Sequence, residues 1–361
     1  MNARGEASVL TWTWRRLDGE ALDWNAWDQL NERTLRLPFF ESRFLVPALS
    51  FLREAPCFLA FGQRGGQTVG AAIVCPQGRG RWSLFQPSQL PLGPLLLAPD
   101  LTLAEAARTL TAQLPGLGLA LSLTQLDPRL IARPAPGPAL DILAYLETAW
   151  IEVDRSYEEF LQERGKNLRA NLRKGQAKLD GGLATVLFER FVDPAAVGEA
   201  LRTYAELEQR GWKGETGTAV AVGTPQGDFY EEMMRRFCAA GRGEIWQLVV
   251  GERVIAMDLC IRNDEVLVIL KTAYDPEFAT VSPGMLLKHA AFSALFAERR
   301  VRRIEFYGRR MDWHRRWTDQ YCVLYHATAF RHPWLLSAYR GFSRMRARLR
   351  AHPDARAAPR Q

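Results

Sequence analysis

The fold of this chain is decided by residues 244–299, which read EIWQLVVGERVIAMDLCIRNDEVLVILKTAYDPEFATVSPGMLLKHAAFSALFAER. Three runs rich in apolar and β-branched residues occupy 244–250, 254–262 and 265–274, and only residues 251–253 and 263–264 separate them. Short connections that contain glycine, asparagine or aspartate are typical of antiparallel hairpins. The stretch therefore predicts a three-strand meander, followed by a helix from Pro283 to about Arg299.

The elements around this stretch extend the pattern across residues 183–330. Residues 183–191 alternate as a strand does, Asp193-Pro194 opens a helix that runs to Arg210, and a second helix carries apolar side chains every four residues from Phe229 to Phe237. Behind the meander and its helix we predict a strand at 303–307, a short helix around 313–317 and a last strand at 321–330. The order is strand, two helices, three strands, helix, strand, helix and strand.

The first half of the chain also mixes helices and strands. Strands are predicted at 10–15, 58–61, 69–74, 82–85 and 117–123, and helices at 22–30, 43–52 and 101–114. A proline-rich stretch at 128–138 precedes a short helix-like piece at 139–146 and an extended segment at 149–153. We place a domain boundary near residue 152, which divides the chain into 1–152, 153–332 and a basic C-terminal helix and tail at 333–361. The predicted fold class is α/β (α+β), with mixed, mostly antiparallel sheets flanked by helices.

Length and charge restrict the function. The chain has 361 residues, more than one hydrophobic core usually organises, and its formal net charge is +7. A positive charge favours an anionic partner such as a phosphate-bearing cofactor, a nucleotide-linked substrate, RNA or a membrane surface. Since no apolar run approaches the roughly 20 residues that span a bilayer and no secretory segment opens the chain, we expect a cytoplasmic protein.

Cysteine and histidine spacing predicts no metal site. The five cysteines are scattered and never form a CxxC pair; they are Cys57, Cys75, Cys238, Cys260 and Cys322. We expect them to be small buried apolar side chains. The five histidines show no metal-ligand spacing either.

The start of the predicted helix at Pro283 is a candidate anion site. Ser282 suits the N-cap position, Pro283 suits the first helical position, and Gly284 lets a ligand approach the backbone. The unpaired N–H groups of a first turn and the helix dipole attract a phosphate. The alternative is an ordinary capped helix.

A basic helix is a second candidate. Residues 164–178 contain six cations and no acid, and Leu161, Leu168, Leu172 and Leu179 form an apolar stripe. Lys166, Arg169 and Arg173 lie roughly opposite that stripe and form a candidate phosphate clamp for substrate binding. A solvated charged face is the alternative.

Two further groups carry candidate acids and bases. Glu208 ends an amphipathic helix just before Trp212 and Lys213, which are flanked by Gly211 and Gly214. A Trp-Lys pair in a glycine-punctuated loop is typical of a substrate-positioning segment, and Glu208 is a candidate general base. A helix stop with a packed tryptophan is the alternative.

Asp258 is singled out by its surroundings, because it lies in the middle of the apolar strand at 254–262. Burial of a carboxylate is costly unless the group is paired or functional, so Asp258 is a catalytic candidate. Lys271 and Tyr274 on the next strand are candidates too. A salt bridge between Asp258 and Lys271 is the structural alternative, which residue parity does not decide without the hairpin register.

His314 and Arg309 lie in the segment at 308–317 that precedes the last strand. A histidine there suits acid–base work near neutral pH, and Arg309 with Arg310 suits phosphate binding. A tryptophan-anchored surface helix is the alternative. Leu335, Tyr339, Phe342 and Leu349 line one side of an arginine-rich C-terminal helix, which suggests either contact with an anionic membrane or packing on the domain.

The predicted element order across 183–330 resembles the GNAT acyltransferase fold. LEQRGWKGETGTA (207–219), KTAYDPEFATVSPGMLL (271–287) and EFYGRRMDWHRRW (305–317) resemble the CelD-like branch, which is associated with cellulose and exopolysaccharide synthesis. RGKNLRANLRKGQAKLDGG (164–182) resembles the basic helix of the related Fem aminoacyltransferases, whose chains carry two GNAT-like domains. The resemblance implies tandem GNAT-like domains, with residues 1–152 as a degenerate first copy.

The resemblance also implies an activity. It implies acetyl-CoA or another acyl-CoA as donor, with Lys271, Ser282, Gly284 and Met285 in cofactor binding, and a small-molecule, sugar or nucleotide-linked acceptor. The usual GNAT loop before the helix is reduced here to Thr280-Val281-Ser282-Pro283-Gly284, and Trp313-His314 stand where a Tyr-Lys pair is usual. Two alternatives remain: a Fem-like enzyme with aminoacyl-tRNA as donor, and a non-catalytic module for anionic ligands.

Overall fold

A computed structural model describes residues 9–17, 24–182, 185–210, 220–221 and 223–351. Within them the α-helices are α1 Asn25–Arg33, α2 Ser42–Phe51, α3 Leu103–Ala112, α4 Tyr157–Gln162, α5 Lys166–Asp180, α6 Val197–Arg210, α7 Pro225–Ala239, α8 Pro283–Glu298, α9 Asp312–Trp317 and α10 Pro333–Ala351. The strands are β1 Thr11–Arg16, β2 Phe58–Arg64, β3 Gln67–Pro76, β4 Arg81–Leu84, β5 Leu95–Leu97, β6 Ala120–Leu126, β7 Leu140–Glu152, β8 Val186–Phe191, β9 Gly243–Val250, β10 Arg253–Arg262, β11 Val266–Tyr274, β12 Arg303–Glu305 and β13 Tyr321–Phe330. Short 3-10 helices occur at Pro38–Phe40, Pro194–Ala196 and Pro276–Val281.

The strands join into one continuous sheet. Its order is β1-β2-β3-β4-β6-β13-β7-β12-β11-β10-β9-β8, and β5 pairs with β3 beside this path. Among the described strands, only β4–β6 and β11–β12 pair in parallel. The predicted mixed α/β fold with a mostly antiparallel sheet is confirmed.

The two halves of the sheet repeat one order of elements. Each half has a strand, two helices, a group of antiparallel strands, a crossover helix and a parallel strand. The crossover helix is α3 in the first half and α8 in the second, as a parallel pair requires. The final strands are exchanged: β7 pairs with β12 of the second half, and β13 inserts between β6 and β7. The boundary near residue 152 stays a prediction.

The helix-like piece predicted at 139–146 is wrong. Those residues belong to β7, which pairs with β13 from Leu140 opposite Ala329 to Ala149 opposite Tyr321. The partner strand lies roughly 180 residues further along the chain, so no local pattern reveals the ladder. The backbone hydrogen bonds of that long pairing outweigh the local preference for helix.

Hydrophobic cores lie on both faces of the second half of the sheet. One core joins the first-half helices to α6 and α7, with Phe44 of α2 packed edge-to-face on Phe229 of α7 at 5.3 Å. The other core lies between the sheet and α5 and α8, around Phe292 and Trp317. The site residues near the meander are therefore divided between two faces of one sheet.

The cysteine prediction is wrong for one pair. Cys57 and Cys75 form a disulfide, whereas Cys238 and Cys260 are buried thiols as expected. The sequence does not predict this disulfide, because the two cysteines meet only when β2 and β3 pair. Across the described ranges, no helix is both long and apolar enough to cross a bilayer.

Candidate active site

A wedge opens between the two parallel strands of the second half. β11 and β12 pair only from Val266 opposite Arg303 to Val268 opposite Glu305, and β11 then continues to Tyr274. A register shift between β10 and β11 falls at the same level, since Leu259 is opposite Lys271 but Cys260 is opposite Ile269. Such bulges add twist and bend the strand. The wedge leaves one edge of β11 without a partner among the described strands over residues 269–274.

The first turn of α8 lies directly behind β11 and is open. Ser282 adopts a left-handed conformation with φ of 56°, and its side chain makes no capping hydrogen bond to the described residues, so the expected side-chain cap is absent. Its carbonyl accepts from the N–H of Met285 at 2.9 Å and of Leu286 at 3.2 Å. A Cβ built on Gly284 meets no atom of the described residues within 4 Å. The open turn thus presents the Gly284 N–H and the positive end of the helix dipole.

The basic helix α5 packs against this turn. A Cβ on Gly175 would lie 2.6 Å from the carbonyl oxygen of Val281, so only glycine lets the two helices approach so closely. Lys178 Nζ donates to the Thr280 carbonyl at 3.2 Å. Lys166 and Arg173 are exposed and Arg169 is half-buried, and none of the three pairs with an acid in the described part of the chain.

Glu208 and Lys271 meet on the α6 face of the sheet. Glu208 is 3% exposed and accepts hydrogen bonds from the Tyr204 hydroxyl at 2.8 Å and the Val220 N–H at 2.7 Å. Lys271 Nζ lies 3.6 Å from Glu208 Oε1 and 5.4 Å from the ring centre of Tyr230. Burial, and then the Glu208 carboxylate, raise the pKa of Tyr204 well above its ordinary value, so its hydroxyl remains a donor.

Asp258 lies on the opposite face. It is opposite Thr272 in the ladder, whereas Lys271 is opposite Leu259, and successive strand residues face opposite sides. The alternative salt bridge between Asp258 and Lys271 does not form. Instead Asp258 binds Lys288 of α8, whose Nζ lies 3.2 and 3.1 Å from the two carboxylate oxygens and 3.2 Å from Thr272 Oγ1.

The pair of Asp258 and Lys288 is buried, with exposures of 0% and 2%. Lys288 also lies 5.0 Å from the ring centre of Trp313 in α9. Lys288 stands one turn after Gly284 on the same helix, so the pair anchors the open turn of α8 to the middle of the sheet. Lys288 was missed because a lone lysine in an apolar helix gives no sign of its partner.

His314 is buried against Trp313, with ring centres 3.6 Å apart. Burial, together with the charges of Lys288 and Arg310, lowers the pKa of His314 to about 3. The N–H of Met311 donates to His314 Nδ1 at 2.8 Å, so the neutral ring carries its hydrogen on Nε2. At neutral pH His314 is a hydrogen-bond donor and a weak base.

Acid should therefore destabilise the protein through His314. The pKa of His314 in the folded protein lies below its ordinary value of 6.5, so the unfolded chain binds a proton at this side chain more readily than the folded protein does. The stabilisation that is present above pH 6.5 is therefore lost as pH falls. Between pH 7 and pH 5, we expect the free energy of unfolding to fall by about 2 kcal/mol more in the wild type than in His314→Asn. Urea unfolding at both pH values measures the difference. Equal decreases in the two proteins would contradict the shift.

The other predicted site residues occupy different positions. Tyr274 is exposed at the end of β11, and by strand parity it faces the same side as Thr272. Arg309 is exposed in the segment between β12 and α9. Trp212 and Lys213 lie outside the described residues.

A buried charge cluster at the end of β12 was also missed. Arg129 Nη2 lies 2.9 Å from Glu305 and 2.5 Å from Asp127, and its guanidinium stacks on Trp150. Burial raises the pKa of Glu305 to about 7 despite the opposing effect of Arg129. Arg129 thus ties the segment after β6 to β12, where the wedge begins. The sequence does not single out Arg129, because the proline-rich stretch that contains it shows no functional motif.

The comparisons with known proteins agree with this architecture. Residues 166–315 match the family model described as the acetyltransferase (GNAT) domain. No curated protein matches the chain.

Several solved structures share the fold. FemX has a TM-score of 0.56 at 10% identity, over 88% of this chain and 98% of that chain. L-PGS from Bacillus licheniformis has a TM-score of 0.53 at 15% identity, over 87% and 94%. A conserved protein of unknown function from Bacteroides thetaiotaomicron has a TM-score of 0.55 at 10% identity, over 86% and 98%. Identities this low show the fold alone. Residues 166–315 of this chain are therefore similar to a GNAT-type acetyltransferase domain.

Proposed function

We propose that this protein transfers an acyl group from acyl-CoA to an amine or hydroxyl acceptor. The observation that supports it most is the combination of the wedge between β11 and β12 with the uncapped first turn of α8. The unpaired edge of β11 suits the amide groups of the CoA arm, and the Gly284 turn suits its pyrophosphate. Met285, Ser282 and Lys271 complete the proposed cofactor set.

A contrast within the chain supports the second half as the donor site. The corresponding crossover helix of the first half, α3, is capped by the Thr102 side chain, which accepts from the Glu105 N–H at 3.2 Å. Glu105 places a negative charge in that first turn. In α8, itself described throughout, the first turn has neither a side-chain cap nor an acid. The first turn of α3 is therefore already occupied by its own cap and by Glu105, which pairs with Arg64 at 2.5 Å, whereas the first turn of α8 is open to a phosphate.

The proposed reaction is direct transfer. The acceptor nitrogen or oxygen attacks the thioester carbonyl, the new C–N or C–O bond forms as the C–S bond breaks, and CoA leaves as a thiolate. Glu208 takes the proton from the acceptor, and Tyr274 is the proposed donor of a proton to the thiolate. Asp258 positions α8 through Lys288, and His314 serves as a neutral donor.

The proposed substrate contacts are cationic. Lys166, Arg169 and Arg173 of α5, together with Arg309, bind the phosphates of CoA or of a nucleotide-linked acceptor, as arginine does well. Trp212 and Lys213 are proposed to contact the acceptor. The same proposal assigns the protein to the CelD-like branch, with an acceptor from exopolysaccharide or cell-envelope synthesis. It also includes a cytoplasmic location and membrane contact through α10.

Replacement of Gly284 by aspartate tests the donor site. An acid in the first turn of a helix stabilises it, so Gly284→Asp should fold at least as well as the wild type. The same charge should repel the pyrophosphate and weaken acetyl-CoA binding by about tenfold or more, which corresponds to ~1.4 kcal/mol. Calorimetric titration with acetyl-CoA measures the affinity and thermal unfolding measures the stability.

Gly284→Ala is the matched control, because the space around Gly284 accepts a methyl group. Alanine should leave the affinity within about threefold of the wild type. Wild-type affinity in Gly284→Asp, or no acetyl-CoA binding by the wild type at millimolar concentration, would refute the donor site.

The second candidate is a Fem-like transfer from aminoacyl-tRNA. The three α5 cations without acidic partners in the described residues favour it, because RNA binding uses such rows of charge. Incubation with tRNA charged with radiolabelled amino acids, beside an assay with labelled acetyl-CoA, separates the two donors. Transfer from charged tRNA alone would replace the acyl-CoA proposal.

A further inference from the structure

A second concave site lies away from the proposed donor site. A cavity of about 470 Å³ opens between α6 and strands β8, β9 and β10, near the β8 edge of the sheet. Its volume falls in the range of small-molecule sites, and Phe191, Leu207 and Val254 supply apolar walls. It lies on the α6 face of the sheet, whereas α8 and its open turn lie on the other face.

The floor of the cavity holds an unsatisfied amide. Gln247 of β9 is 6% exposed and lines the cavity. Its side-chain amide has no hydrogen-bond partner in the described part of the chain. The amide atoms are not sealed from solvent but face the cavity, where water or a ligand completes their hydrogen bonds.

The charges around the cavity favour a cation. Its two arginines, Arg210 and Arg253, both bind Asp275, at 3.4 and 2.5 Å. Arg253 also binds Glu277 at 2.7 Å, and Arg210 lies 3.7 Å from Glu206, a further acid of the cavity lining. The cavity also contains the carboxylates of Glu199 and Glu252, for which the described residues offer no ion-pair partner. The positive groups are therefore already neutralised, and negative charge remains for a ligand.

We propose that this cavity binds a short aliphatic amine. Its ammonium lies between Glu199 and Glu252, its hydrocarbon contacts Phe191 and Val254, and a second polar end hydrogen-bonds to Gln247. None of the proposed ligand contacts is a residue of the α8 turn or Glu208.

Calorimetric titration of the full chain with cadaverine, and with the pentanediol of the same length, tests the proposal. We expect saturable binding of cadaverine at millimolar concentration with one site per chain, and no binding of the uncharged diol. Double replacement Glu199→Gln with Glu252→Gln should weaken cadaverine binding by about tenfold or more. Double replacement Glu54→Gln with Glu158→Gln, which removes two exposed carboxylates outside the cavity, is the charge-matched control and should bind as the wild type does.

Gln247→Leu separates a ligand-binding role from a structural one. Removal of an amide that makes no hydrogen bond to the described residues should leave the melting temperature unchanged or raise it, while cadaverine binding weakens. A lower melting temperature with unchanged binding would show that Gln247 supports the fold instead. Absence of saturable cadaverine binding, equal binding of the diol, or wild-type binding by the double variant at Glu199 and Glu252 would overturn the site, whereas acetyl-CoA binding is unaffected by any of these outcomes.

Discussion

Replacement of Lys288 by methionine should lower the free energy of unfolding by about 3–5 kcal/mol, because it leaves the Asp258 carboxylate buried without its partner. Asp258 is fully buried, and Lys288 donates to both of its oxygens. Methionine matches the length of lysine, so loss of packing is a minor part of the effect. Urea unfolding, followed by circular dichroism, measures the change.

A double variant tests whether the unpaired charge of Asp258 causes the loss of stability. When Asp258→Leu is added to Lys288→Met, the buried charge disappears and most of the lost stability should return. Lys174→Met, on the exposed side of α5, is the matched control for loss of a lysine and should change the free energy of unfolding by no more than about 0.5 kcal/mol. A double variant as unstable as the sum of its single variants would show that Asp258 and Lys288 act independently.

Replacement of Glu208 by glutamine should reduce kcat for acyl transfer by about 100-fold to 10,000-fold, because the amide does not accept the acceptor's proton. Thiol release from acetyl-CoA, measured with a panel of amines and alcohols, gives the rate. Acetyl-CoA affinity should change little.

A structural role for Glu208 predicts a different result. Glu208 also accepts from Tyr204 and from the Val220 N–H, so glutamine is expected to lose some stability. Tyr204→Phe removes one of these bonds and keeps the carboxylate, and it should retain most of kcat. Glu206→Gln, on the exposed side of the same helix, should match the wild type. Unchanged kcat in Glu208→Gln would remove it from the reaction.

Turn residues and helix-start residues predict the order of strands and helices in the second half of the chain. The hairpin connections at 251–253 and 263–264 specify antiparallel neighbours, and Pro283 marks the first residue of α8. These signals lie within a few residues of the structures they specify. The open turn at Gly284 was found for the same reason, although the expected capping by the Ser282 side chain does not occur within the described residues.

Local sequence patterns do not identify the partners of buried charged residues. Asp258 was singled out from its apolar strand, but its partner depends on the hairpin register and on which helix covers that face. The same holds for Glu305, which meets Arg129 from the other half of the chain. Register and helix placement are set by packing over the whole sheet.

The sequence by itself therefore determined the order of strands and helices across residues 183–330 and the position of the turn at Gly284, because turn and helix-start residues act on their immediate neighbours. Only the tertiary structure decided that β7 and β13 exchange halves, that Glu208 and Asp258 face opposite sides of the sheet, and that Gln247 lines a cavity. Those features depend on contacts between residues far apart in the chain, whose energies no local pattern records.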